Sequence, residues 1–93
     1  MDKIQIIDFI KTHNIKYSLV ENFKNVLETN SIEDLDITTK ILSIETENII
    51  TELIDEVWIL FKTKIKQDGN DIGHYSLKYD LNGELIDEYF TIY

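Results

Sequence analysis

Gly73-His74-Tyr75-Ser76-Leu77-Lys78-Tyr79-Asp80-Leu81-Asn82-Gly83-Glu84-Leu85-Ile86-Asp87-Glu88-Tyr89-Phe90 is the stretch that decides the fold. Asn82-Gly83 at its centre is the strongest short-range signal for a hairpin, because both central positions of a tight two-residue turn need a positive φ. A turn centred there sets Tyr79 against Ile86, Leu77 against Glu88, Tyr75 against Phe90 and Gly73 against Ile92 on one face. The other face receives Lys78 with Asp87, Ser76 with Tyr89 and His74 with Thr91. One face is therefore apolar and the other polar with an opposite-charge pair, so turn chemistry and side-chain alternation agree. Glu88 is the exception, an acid on the apolar face.

Upstream the same period of two continues. Phe61, Thr63 and Ile65 interleave with Lys62, Lys64 and Lys66, while Val57-Trp58-Ile59-Leu60 is apolar on both faces. Gln67-Asp68-Gly69-Asn70-Asp71 has the composition of a turn. Strands are expected over about 57–66, 72–80 and 85–92. Nearer the N-terminus the period changes to 3.6: Ile4, Ile7, Phe9 and Ile10 share one face of a helix over about 2–13. Ser18 and Glu21 have the spacing of a capping box, placing a second helix over about 19–28 with Leu19, Phe23, Val26 and Leu27 inward. Ile49, Ile50, Leu53, Ile54 and Val57 suggest a third over about 46–56. Residues 30–44 carry conflicting signals, since Ser31-Ile32-Glu33-Asp34-Leu35 reads as a helix start and Ile37-Thr38-Thr39-Lys40-Ile41 is β-branched. The expectation is a single α+β domain over residues 1–93, with N-terminal helices packed on a three-stranded antiparallel sheet.

The 93 residues include no Cys, which removes disulfides, thiol catalysis and zinc–thiolate sites. The N-terminus lacks the basic and apolar regions of a secretory signal, no apolar run reaches the roughly 20 residues needed to span a bilayer, and the expected location is the cytoplasm. A net charge of −9 argues against nucleic acid and anionic membranes as partners. The charge is uneven: Glu33, Asp34, Asp36, Glu45, Glu47, Glu52, Asp55 and Glu56 are accompanied within residues 31–56 by Lys40 alone. Surfaces ordinarily intersperse both signs. A one-sign region repels itself, and a basic partner relieves that repulsion on binding.

His13 and His74 are the only imidazoles, one at an expected helix end and one on the polar sheet face, so acid–base catalysis is not expected. Asp68-Gly69-Asn70-Asp71-Ile72-Gly73 resembles a calcium loop superficially, but Ile72 and Tyr79 fall where ligands are required. No cofactor or metal is expected, nor is an enzyme. Tyr89 and Tyr93 add rigid amphipathic area suited to a binding surface.

The closing hairpin, Gly73 to Phe90, resembles that of small acidic immunity proteins of bacterial polymorphic toxin and contact-dependent growth inhibition systems. The resemblance covers about a fifth of the chain. It implies a cytoplasmic protein that binds a cognate toxin domain, often a nuclease, and blocks it. Under that reading the eight acids of residues 31–56, together with Glu88, Tyr89 and Tyr93, form the partner-binding set. Two other readings remain open: an acidic decoy that imitates nucleic acid to inhibit a defence nuclease, and a non-catalytic oligomeric or regulatory subunit joined through Trp58 and Leu60.

Overall fold

Asp2 opens the first helix with a reciprocal cap. Its Oδ1 accepts the Gln5 backbone N–H at 2.8 Å, and the Gln5 side chain accepts the Asp2 N–H at 2.9 Å. The computed structural model describes residues 1–93, with α1 at Lys3–Thr12, α2 at Ile15–Thr29 and a single turn, α3, at Ile32–Leu35. The strands are β1 (Ser43–Ile44), β2 (Ile50–Ile54), β3 (Trp58–Gln67), β4 (Asn70–Asp80) and β5 (Leu85–Ile92). Helices followed by an antiparallel sheet make this an α+β fold; the sheet has five strands where three were expected.

The second helix begins earlier than the Ser18–Glu21 spacing suggests. Asn14, in the left-handed conformation at φ 50°, turns the chain directly from α1 into α2, and the Ser18 N–H already bonds the Asn14 carbonyl at 3.0 Å. Asn tolerates that conformation better than most residues. The early start also seats Ile15 in the core with no exposed surface. Burial outweighs the local cap, and Ser18 lies inside the helix.

The expected third helix over 46–56 is not formed. Ile50–Ile54 instead lies antiparallel to β3, from Ile50 opposite Lys62 to Ile54 opposite Trp58. The spacing of Ile49, Ile50, Leu53, Ile54 and Val57 suits a helix, but β-branched residues dominate the stretch and also suit a pleated surface. The deciding factor is tertiary. A ten-residue β3 paired only to β4 would leave a row of backbone groups unmatched along its other edge. β1 and β2 satisfy that edge in succession, with residues 45–49 bulging between them against Thr63 and Lys64. Of the two conflicting signals in residues 30–44 only the first is realised: Ser31 caps α3 by accepting the Asp34 N–H at 3.1 Å, whereas the β-branched run over 37–41 forms no strand and β1 begins only at Ser43.

The β4–β5 hairpin has the expected register from Gly73 with Ile92 through Lys78 with Asp87, and then departs from it, because Tyr79 faces Leu85 and not Ile86. The cause is the turn. Within it Gly83 alone has a positive φ, at 90°. Its N–H bonds the Asp80 carbonyl at 3.1 Å, while the Asp80 N–H bonds the Glu84 carbonyl at 2.9 Å. This is a three-residue loop closed by a left-handed glycine, and a bulge between Lys78 and Tyr79 absorbs the offset.

One face of the sheet carries α1 and α2. Phe9, Ile15, Leu19, Phe23, Val26 and Leu27 interlock there with Ile59, Phe61, Ile65, Tyr75, Leu77 and Tyr79. Fully burying each such aliphatic or aromatic side chain contributes about 1.5–3 kcal/mol before entropy is counted. His13, the C-cap of α1, lies against Gly83, where an added Cβ would come within 2.2 Å of the imidazole. The first helix is thereby seated on the last turn.

Candidate functional site

The expected acidic binding set is distributed over the whole length of β3. Glu33, Asp34 and Asp36 lie on and just after α3, beside the β3–β4 turn, where Thr38 meets Gln67 at 3.4 Å. Glu45 and Glu47 occupy the bulge between β1 and β2, and Glu52 lies on β2. Asp55 and Glu56 form the β2–β3 turn at the opposite end. Nine steps of β3 separate these groups, about 30 Å at the usual strand rise. The set is therefore two acidic ends joined by a strip, not one patch.

Lysines occupy the strip. On the sheet face turned away from the helices, Lys62 meets Glu52 at 3.6 Å, Lys64 meets Asp71 at 3.6 Å, and Lys66 pairs with Asp71 and, at 3.9 Å, with Glu45. Asp71 is held below the ordinary carboxylate range chiefly by its hydrogen bond from Lys66. Glu45 also accepts from Asn48 at 2.8 Å. Glu45 and Glu52 are thus already matched within the chain, whereas Glu33, Asp34, Asp36, Glu47, Asp55 and Glu56 form no ion pair. The same face holds Trp58, with the Lys78 ammonium 5.1 Å from its ring centroid, and Tyr89. Lys78 and Asp87 are register partners as expected, but their charges do not meet, since the Asp87 carboxylate accepts the Glu88 N–H at 2.8 Å. Tyr93, at the end of the chain, stands 5.8 Å from the His74 ring, and burial lowers the His74 pKa.

Glu88 lies on the helix-covered face, as its register implies, and accepts the Tyr75 hydroxyl at 2.5 Å. Burial, then this hydrogen bond, raises the Tyr75 pKa. Glu88 is itself exposed and supplies a partner for the polar end of a buried ring.

The β2–β3 turn differs from the chain's other hairpin turns. Asp68-Gly69 joins β3 to β4 with φ of 52° and 81°, and Gly83 takes the left-handed position in the third hairpin. At the β2–β3 turn, Asp55 (φ 52°) and Glu56 (φ 56°) both occupy that region with no glycine, and the Val57 N–H closes the turn onto the Ile54 carbonyl at 3.1 Å. A non-glycine residue there costs roughly 1–2 kcal/mol, Asp less than Glu. The pairing of Ile54, Trp58 and Asp80 brings this turn alongside the β4–β5 turn, so Asp55 and Glu56 share an end of the sheet with Asp80 and Glu84.

The lysine ridge continues the alternation of Lys62, Lys64 and Lys66 seen in the sequence, whereas a second feature was not anticipated. A groove of about 500 Å³ between α1 and α2, lined by Ile7, Ile10, Lys11, Asn14, Lys16 and Tyr17, arises from the abrupt corner at Asn14.

No family model, curated protein or solved structure matches this chain. No helix is long and apolar enough to cross a membrane.

Proposed function

We propose that this chain is a non-catalytic inhibitor of the immunity type, which neutralises a cognate toxin domain by covering its basic surface. A nuclease is the toxin class that best fits, because its substrate-binding cleft must be basic to hold phosphates. The docking end is the one formed by the β2–β3 and β4–β5 turns, with Asp55 and Glu56 foremost. The observation that carries this reading is the Asp55-Glu56 turn. The chain uses glycine at its other two hairpin turns, yet here it keeps two acids in a conformation that favours glycine. Backbone strain retained where a cheaper residue exists is a recognised mark of functional positions. What the strain supplies is a pair of carboxylates, free of internal partners, at a rigid tip.

Inhibition proceeds by occlusion. Carboxylates at the tip approach lysines or arginines of the toxin, electrostatic attraction speeds the encounter, and the bulk of the domain excludes the substrate. The test is purification with the partner from the native cell, followed by association kinetics in rising salt. A basic protein whose activity is blocked, and whose association slows at least about tenfold between low and high salt, supports the proposal. Salt-independent association, or association unchanged by Asp55→Asn with Glu56→Gln, overturns it.

A further inference from the structure

The two edges of the sheet are unlike. The β1–β2 edge is broken by the bulge at residues 45–49 into pieces of two and five residues, which is how natural sheets avoid edge-to-edge pairing. β5 runs for eight residues with no Pro and no Lys, and it exposes Leu85 (44%), Ile86 (44%) and Tyr89 (40%), followed by Tyr93 (75%). The Tyr93 N–H bonds the Ile72 carbonyl of β4, so by antiparallel alternation the amides of Ile92, Phe90, Glu88 and Ile86 face outward. Of these, the Glu88 N–H is covered by its neighbour Asp87.

We infer that this edge pairs antiparallel with β5 of a second copy of the chain across a two-fold axis at Tyr89, extending both sheets into one. The register follows from charge. Antiparallel partners share a face, so the axis falls on a single residue of β5. Centring it on Asp87 or Glu88 sets like charges directly opposite each other, which destabilises a sheet. Centring it on Tyr89 overlaps the whole of Leu85–Tyr93. Asp87 then faces Thr91, Glu88 faces Phe90, and Ile86 faces Ile92. No like charges oppose, the apolar residues meet across the seam, and Asp87 exchanges the Glu88 amide for the Thr91 hydroxyl. Such an isologous contact closes on itself and does not propagate. A single pair of strands is a small interface, so association is concentration-dependent.

The chain has no cysteine, which makes cross-linking unambiguous. Residues opposed on the axis stand about 4.5–5.5 Å apart between Cα atoms, within disulfide range. Tyr89→Cys protein incubated with oxidised glutathione, in which two protein thiols become one disulfide as glutathione is reduced, is expected to form a covalent dimer. Asp87→Cys alone is not, but an equimolar mixture of Asp87→Cys and Thr91→Cys is. In sedimentation velocity the unmodified chain shifts towards twice its 11.0 kDa mass with concentration. That shift strengthens with salt because two chains of net charge −9 repel, the opposite of the salt response expected for toxin docking. Tyr89→Lys, which opposes two cations on the axis of an exposed position, abolishes it; Thr91→Lys, facing Asp87 of the other copy, retains it. A chain that stays monomeric at all concentrations, or cross-links equally at Asp87 and Tyr89, refutes the pairing, as does a β5 edge filled by a strand of an unrelated protein.

Discussion

Replacing Glu56 with glycine should stabilise the fold while weakening partner binding. Glu56 sits at φ 56° in the second central position of its turn, where the chain elsewhere places Gly69 at φ 81°. The left-handed conformation costs a side-chain-bearing residue roughly 1–2 kcal/mol. Glycine removes that cost but makes the unfolded chain more flexible by roughly 0.5–1 kcal/mol. The balance is a gain of up to about 1.5 kcal/mol, each kcal/mol of which raises Tm by about 4–8 °C in a domain of this length. Glu56→Gln is the necessary control: it keeps the strained backbone and removes the charge, so its Tm reports the repulsion of Glu56 by the acids around it, Asp55 first among them. Thermal unfolding followed by circular dichroism, for the original chain and both variants, gives the comparison. If Glu56→Gly melts no higher than Glu56→Gln, the turn is not strained in the way described, and the functional argument built on it loses its support. If Glu56→Gly melts higher and both variants bind the partner more slowly, the acid is retained against stability, as expected of a functional residue.

Two further outcomes follow from the sheet. Glu88→Ala strands the Tyr75 hydroxyl in part-buried surroundings and should cost about 1–3 kcal/mol in urea unfolding, whereas Glu88→Gln keeps an acceptor and should cost clearly less; equal losses would mean that the hydrogen bond is immaterial. His74 is held below its ordinary pKa by burial and then by Lys62, so the unfolded state takes up the proton more readily, and the stability His74 contributes is complete above about pH 6.5 and is lost as pH falls through the lower folded value. His74→Gln should flatten that acid-side decline, with Lys64 opposite it and Tyr93 beside it left in place; an unchanged pH profile would contradict the assignment.

The hairpin was legible because turn residues and alternation reinforce one another from Gly73 to Phe90. It failed only at Tyr79, where a three-residue loop replaced the two-residue turn that Asn82-Gly83 suggests. The helices were legible as elements, though the second started at Ile15 because the core required Ile15 more than α2 required the Ser18 cap. β2 was not legible: Ile49, Ile50, Leu53 and Ile54 fit both periods, and the unpaired edge of β3 that decides between them is not a local property. The acids suffered the same ambiguity. Adjacent in sequence, they were expected to be adjacent in space, but a strand and its turn carry Glu52, Asp55 and Glu56 far from Asp36. The lysines were read strand by strand, Lys62, Lys64 and Lys66 by their alternation and Lys78 by its hairpin face, and the pairing of β3 with β4 brings all four onto one sheet face.

The seat of α1 has a consequence for the order of synthesis. Phe9 rests against Phe61 and Tyr79, with ring centroids 5.8 Å and 6.3 Å away, and His13 rests on Gly83. The helix α1 leaves the ribosome before the strands it rests on and thus has no docking surface until β3, β4 and the turn at Gly83 have followed it. The sheet hairpins, each built from neighbouring segments, can form as they emerge, but the helix that covers them must wait, with Phe9 exposed, for the last turn to be translated.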